Sequence, residues 1–111
     1  MRANEAIIKS ELFEKLKEEN AFWSYNMDGV ERINDRMLIV KTLVHLDLSE
    51  IDKLFQIFPF EKIKRVWREE LAISGEYYHT LNRFLAWWYF NIKNPDQYLK
   101  TVETKHINSF V

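Results

Sequence analysis

The stretch Asp35-Arg36-Met37-Leu38-Ile39-Val40-Lys41-Thr42-Leu43-Val44-His45-Leu46 decides the fold class. With a helical period, Met37-Leu38-Ile39-Val40 and Leu43-Val44 leave almost no polar side, and Asp35 stands in front of them as an N-cap. That describes a central, buried helix. With a period of two, the same β-branched cluster makes a strand, and a short apolar run does not choose between the two by periodicity alone. The surrounding chain favours the helix. Two Gly and two Pro are too few for the turns of a sandwich or barrel, and long stretches without either residue favour helices. The class read from the sequence is all-α, with a strand as the alternative for this segment.

Residues 5–19 carry Ile7, Ile8, Leu12 and Leu16 on one stripe with Phe13 beside it, and Glu5/Lys9 and Glu11/Lys15 at supportive i,i+4 spacing. This predicts an amphipathic leading helix. Residues 20–31 mix Asn, Asp, Gly and Ser with Phe22, Trp23 and Tyr25, a connector whose aromatics are expected in the core. Ser49, with Asp52 three residues on, is expected to cap a short helix over 50–58 that Pro59 stops. Over 61–71, Ile63, Val66, Trp67 and Leu71 fall at helical spacing, while Lys62, Lys64, Arg65 and Arg68 make the exposed side basic.

After Ser74-Gly75, residues 77–92 read as one long helix, aromatic on nearly every side, that must be covered. Asn94 followed by Pro95 is an N-cap with proline at the first helical position, and it predicts a last helix near 96–103. Residues 104–111 are expected to form a loose tail. No repeat or low-complexity tract divides the chain, so the expectation is a single domain, 1–111, with residues 1–20 as its leading helix. It would be a compact bundle of five or six helices centred on residues 37–46 and 77–92.

Size and composition bound the function. At 111 residues and 13.5 kDa, size scaling sets the folded surface at roughly 6,500 Å² against roughly 19,600 Å² unfolded, enough for one core. With 47% hydrophobic residues the chain is no disordered linker. The absence of Cys removes disulfides, thiol catalysis and thiolate metal sites. No apolar run approaches the roughly 20 residues of a membrane span, and Met1-Arg2-Ala3-Asn4-Glu5 leads into charge, so a cytoplasmic location without membrane partners is expected. A formal net charge of -1 supplies no global field for nucleic acid.

His45, His79 and His106 are the titratable candidates, and none stands in a catalytic or metal-binding spacing. The reading is therefore not an enzyme, with no catalytic residue, metal or cofactor. Two features remain. Residues 49–71 have the outline of a helix-turn-helix, in which Lys62, Lys64, Arg65 and Arg68 would contact phosphates or guanine edges. The second is aromatic excess. Trp87-Trp88-Tyr89-Phe90 in one helix, with Trp23 and Trp67, exceeds what a core of this size easily encloses, and adjacent Trp87 and Trp88 point about 100° apart. Trp67, Arg68, Arg83, Trp87 and Trp88 are the candidate partner-binding set, because Trp and Arg are favoured interface anchors.

Phe22-Trp23, Asp35-Arg36-Met37-Leu38-Ile39, the helix 51–58, Glu61-Lys62-Ile63-Lys64-Arg65-Val66, and Thr80-Leu81-Asn82-Arg83-Phe84 leading to Tyr89-Phe90-Asn91-Ile92 form an ordered pattern over residues 21–99. In this order it resembles a small bacterial and archaeal family of helical proteins often encoded beside nucleotidyltransferase toxins of the abortive-infection type. The resemblance implies an antitoxin-like protein that binds and restrains such a toxin. The leading helix and the chain after Lys100 fall outside the family pattern. The expected function is a non-enzymatic, partner-binding module. The alternative is a DNA-binding regulator using residues 61–71, and a homo-oligomer through the same aromatics is a further option.

Overall fold

The computed structural model describes residues 2–19, 33–74 and 77–108. The fold is all-α: the described residues form six α-helices and hold no strand. These are α1 (Arg2–Glu18), α2 (Asp35–His45), α3 (Leu48–Ile57), α4 (Phe60–Glu70), α5 (His79–Trp88) and α6 (Pro95–Asn108), with a 3-10 turn at Ala72–Ser74. Two compact units divide the chain, residues 1–63 and 64–111.

In the first unit α1, α2 and α3 pack on one another. Leu12, Phe13 and Leu16 of α1, Leu38, Ile39 and Leu43 of α2, and Ile51 and Leu54 of α3 are among its buried side chains. The deciding stretch is a helix, but only one of its faces is buried. Leu38, Ile39, Thr42 and Leu43 follow the i, i+1, i+4, i+5 spacing of an inward stripe, while Met37 lies outside it and is exposed. Ile7, expected on the α1 stripe, is exposed for the same reason of register.

The caps differ from expectation in an informative way. Asn34, not Asp35, caps α2, its Oδ1 accepting from the Met37 N–H at 2.7 Å. Asp35 falls in the first turn, where the helix dipole favours a carboxylate, and it takes the ammonium of Lys9 at 3.2 Å and of Lys62 at 3.5 Å. Asp47 occupies the N-cap position of α3 without a side-chain cap bond. Ser49, the expected cap, donates instead to Glu50 Oε2 at 2.8 Å, which is the first cause holding the Glu50 carboxyl below its ordinary range. Only Phe58 and Pro59 separate α3 from α4, fewer than the three or four turn residues of a helix-turn-helix.

Thr42 Oγ1 is buried and has no hydrogen-bond partner among the described residues. An unpaired buried hydroxyl carries a desolvation cost of about 1–3 kcal/mol. Thr42→Val keeps the branched shape without the polar atom, and it is expected to raise stability by about 1 kcal/mol, read as a higher urea midpoint at unchanged m-value.

The second unit is organised around a buried amide. Asn82 Oδ1 accepts from Trp67 Nε1 at 2.9 Å, and Asn82 Nδ2 donates to the Leu71 carbonyl at 2.8 Å. The Trp67 ring lies against Phe90 and Tyr98, with centroids 4.7 and 5.9 Å away. Val66, Leu71, Ala72, Leu85, Ala86 and Leu99 complete the buried set. The long helix expected over 77–92 is shorter. It ends at Trp88 because Asn91 adopts a left-handed φ of 54°, which lets the Phe90 and Ile92 N–H groups return to the Leu85 and Ala86 carbonyls. Asn94 caps α6, accepting from the Gln97 N–H at 3.2 Å, and α6 runs to Asn108, so residues 104–108 are helical where a loose tail was expected. Phe22, Trp23 and Tyr25, expected in the core, lie outside the described residues.

Candidate functional site

Helix α5 has an inner and an outer side. Asn82, Leu85 and Ala86 share its inward stripe at i, i+3 and i+4, so the indoles of Trp87 and Trp88 are left pointing outward, 60% and 53% exposed. Full coverage of this helix, expected from its aromatic content, does not occur. The two indoles tilt against each other with centroids 5.7 Å apart, and Phe84, one turn earlier, stacks on Trp88 at 6.1 Å. Rings braced in this way offer apolar area at low entropic cost, a property of interface anchors.

Arg83 stands one turn before Trp87 on α5. Its Nε donates to Asp96 Oδ1 at 2.9 Å, so the guanidinium expected among the partner-binding anchors is held by a carboxylate of its own chain. Trp67 is fully buried and bonded to Asn82, which makes it a core residue and removes it from the surface set. Arg68 is exposed and has no ion pair among the described residues, and the same holds for Arg65. Lys64 is half-buried and likewise has none. Lys62 is different. It pairs with Asp35 and sits 5.1 Å from the Phe58 ring centroid, so it is committed to structure within the first unit. Arg83, Trp87 and Trp88 thus stand together on α5, while Lys64, Arg65 and Arg68, without an ion pair among the described residues, stand on α4.

Three features escaped the sequence reading. Asn82 was legible in principle, as the polar residue on the apolar stripe of an aromatic helix. A cleft of about 350 Å³ lined by His79, Asn82, Arg83, Asp96, Lys100 and Glu103 was not, because it needs α6 laid against α5. His79 Nε2 stands 3.6 Å from the Asp96 oxygen that Arg83 occupies. A second cleft of about 370 Å³, lined by Trp87, Asn91, Ile92 and Lys93, depends on the left-handed turn at Asn91. Among the described residues no group of three His, Asp or Glu could hold a metal ion, and no helix is long and apolar enough to cross a membrane.

His45 lies exposed at the end of α2, where partial burial first and Lys41 second hold its imidazole below the ordinary value of about 6.5. The folded chain therefore binds this proton less readily than the unfolded one. His45 contributes stability above about pH 6.5, and that contribution is lost as pH falls through 6.5 toward the lowered folded value. His45→Gln is expected to flatten the pH dependence of the urea midpoint between roughly pH 7 and pH 5.

Searches against protein-family models, curated proteins and solved structures returned no match for this chain.

Proposed function

We propose that this chain is a non-enzymatic, cytoplasmic module of antitoxin type that binds a nucleotidyltransferase-like toxin and restrains it sterically. The outward aromatic side of α5 is the observation that carries the protein-binding half of this reading, since Trp87 and Trp88 leave apolar area uncovered beside Arg83. The toxin half rests on the ordered sequence pattern over residues 21–99. In the complex, Trp88 and Trp87 cover the toxin's nucleotide or acceptor site. Arg68 and Arg65 pair with its carboxylates, and Arg83 joins them through its terminal N–H groups while its Nε stays on Asp96.

A DNA-binding reading is favoured by one observation, that Lys64, Arg65 and Arg68 on α4 have no ion pair among the described residues. It is opposed by the first turn of that helix, where a recognition helix meets base edges. Here that turn presents Phe60, Glu61 and a Lys62 already paired with Asp35.

The test is an affinity pull-down of the tagged chain from nuclease-treated lysate of its native host, washed at moderate salt and read by mass spectrometry. Near-stoichiometric recovery of a nucleotidyltransferase-like protein, lost with Trp88→Ala and weakened with Arg68→Ala, is the expected result. An empty pull-down, with DNA recovered only when nuclease is omitted and released as salt rises, would transfer the function to the regulator. Recovery of the chain itself alone would mark α5 as a homo-oligomer surface.

A further inference from the structure

The turn that ends α5 builds a small site of mixed character. Trp87, which is exposed, and Ile92 supply its apolar lining, and Asn91 and Lys93, which follow from the left-handed turn, add an amide and an ammonium. Neither the Asn91 side chain nor the Lys93 ammonium has a bonding partner among the described residues. At about 370 Å³ the cleft is at the small end of ligand sites, which run roughly 300–1,000 Å³. It has room for one or two residues of an extended segment.

Charge narrows the choice of occupant. The chain carries 17 Asp and Glu, yet none of residues 77–95 is acidic, and the same span holds Arg83 and Lys93. The nearest carboxylate along the chain on the C-terminal side, Asp96, is neutralised by Arg83 at 2.9 Å. An apolar side chain alone would desolvate Lys93 without a counter-ion, and a bare anion would leave the Trp87 and Ile92 walls wet. A group that satisfies both carries a carboxylate next to a large apolar side chain.

We infer that the Trp87–Asn91–Ile92–Lys93 cleft receives an acidic, apolar-anchored segment of the protein partner, with Lys93 reading the carboxylate and Trp87 covering the adjacent apolar side chain. The inference rests on the protein-binding reading above and specifies the chemistry of the segment bound. Single-stranded nucleic acid is the rival that shares the ring and the cation. It is disfavoured because stacking grooves interleave several basic residues with their rings, and this cleft has one.

Indole N–H signals of the intact, nitrogen-15-labelled chain make a direct readout, assigned with Trp→Phe variants. The probes are an acetylated hexapeptide alternating Glu with Leu, its counterpart with Lys for Glu, and a deoxythymidine hexamer. The Glu-Leu peptide is expected to shift the Trp87 signal saturably while the Trp67 signal, bonded to Asn82 inside the unit, stays in place. The Lys-Leu peptide should bind at least tenfold more weakly, and Lys93→Glu should reverse that order. The proposal is overturned by equal binding of the two peptides, by a preference unchanged in Lys93→Glu, or by a Trp87 response to the oligonucleotide alone. If the pull-down yields a Trp88-dependent protein while the peptide leaves Trp87 unmoved, the cleft assignment fails and the protein-binding reading stands. A pull-down without protein and a silent Trp87 overturn both.

Discussion

Asn82→Ala is expected to lower the unfolding free energy by about 3 kcal/mol, because it orphans two buried groups at once. The Trp67 N–H loses the Oδ1 acceptor at 2.9 Å, and the Leu71 carbonyl loses the Nδ2 donor at 2.8 Å. Each unpaired buried group costs roughly 1–3 kcal/mol, and domains of this size have only about 5–15 kcal/mol in total. Water does not repair the loss, since Asn82 is 1% exposed and Trp67 is fully buried. The measurement is the urea midpoint followed by circular dichroism. Trp67→Phe removes the same hydrogen bond from the other side while keeping a ring against Phe90 and Tyr98. In that background Asn82→Ala should cost less than in the parent chain, because one of its two orphaned partners is already gone. Full additivity of the two changes would mean that the Trp67–Asn82 bond contributes nothing.

The second large effect concerns partner binding. Trp88→Ala should weaken partner capture by roughly 30-fold, about 2 kcal/mol, the magnitude of an aromatic hot spot. It should leave the unfolding midpoint nearly unchanged, because half of the indole is already in water and it loses mainly the stack on Phe84. Trp67→Ala is the contrast: it should cost about 3–5 kcal/mol of stability, as buried aromatic truncations do. Three tryptophans of one sequence pattern would thus separate into a core residue and a surface pair. If Trp88→Ala unfolds the chain, or leaves capture intact, the proposed docking face is wrong.

The helices were legible because their signals are local. Asn94-Pro95 placed the start of α6, Pro59 the gap after α3, and the scarcity of Gly and Pro the all-α class. Boundaries were less legible where two polar residues competed for one role. Asn34 and Asp35 both suit an N-cap, and two ammoniums drew Asp35 into the first turn instead. The end of α5 depended on Asn91 adopting a left-handed φ, which Asn tolerates without requiring. Helix α6 runs past the expected 96–103 because its C-terminal turns carry no stop signal before Asn108.

The helical class, the amphipathic faces and the basic and aromatic character of α4 and α5 follow from composition and a period of 3.6 residues, so local pattern carries them. Which aromatic is core and which is surface depends on long-range packing instead. Trp67 and Trp87 look alike in a helical pattern, but burial depends on what packs opposite. Asn82 and Tyr98 meet Trp67 from 15 and 31 positions further along the chain, whereas Trp87 meets solvent. The same reason holds for the cations. Lys62 and Arg68 stand on one basic stripe, and the carboxylate that engages the first comes from Asp35, far back in the chain, a pairing that no local pattern encodes.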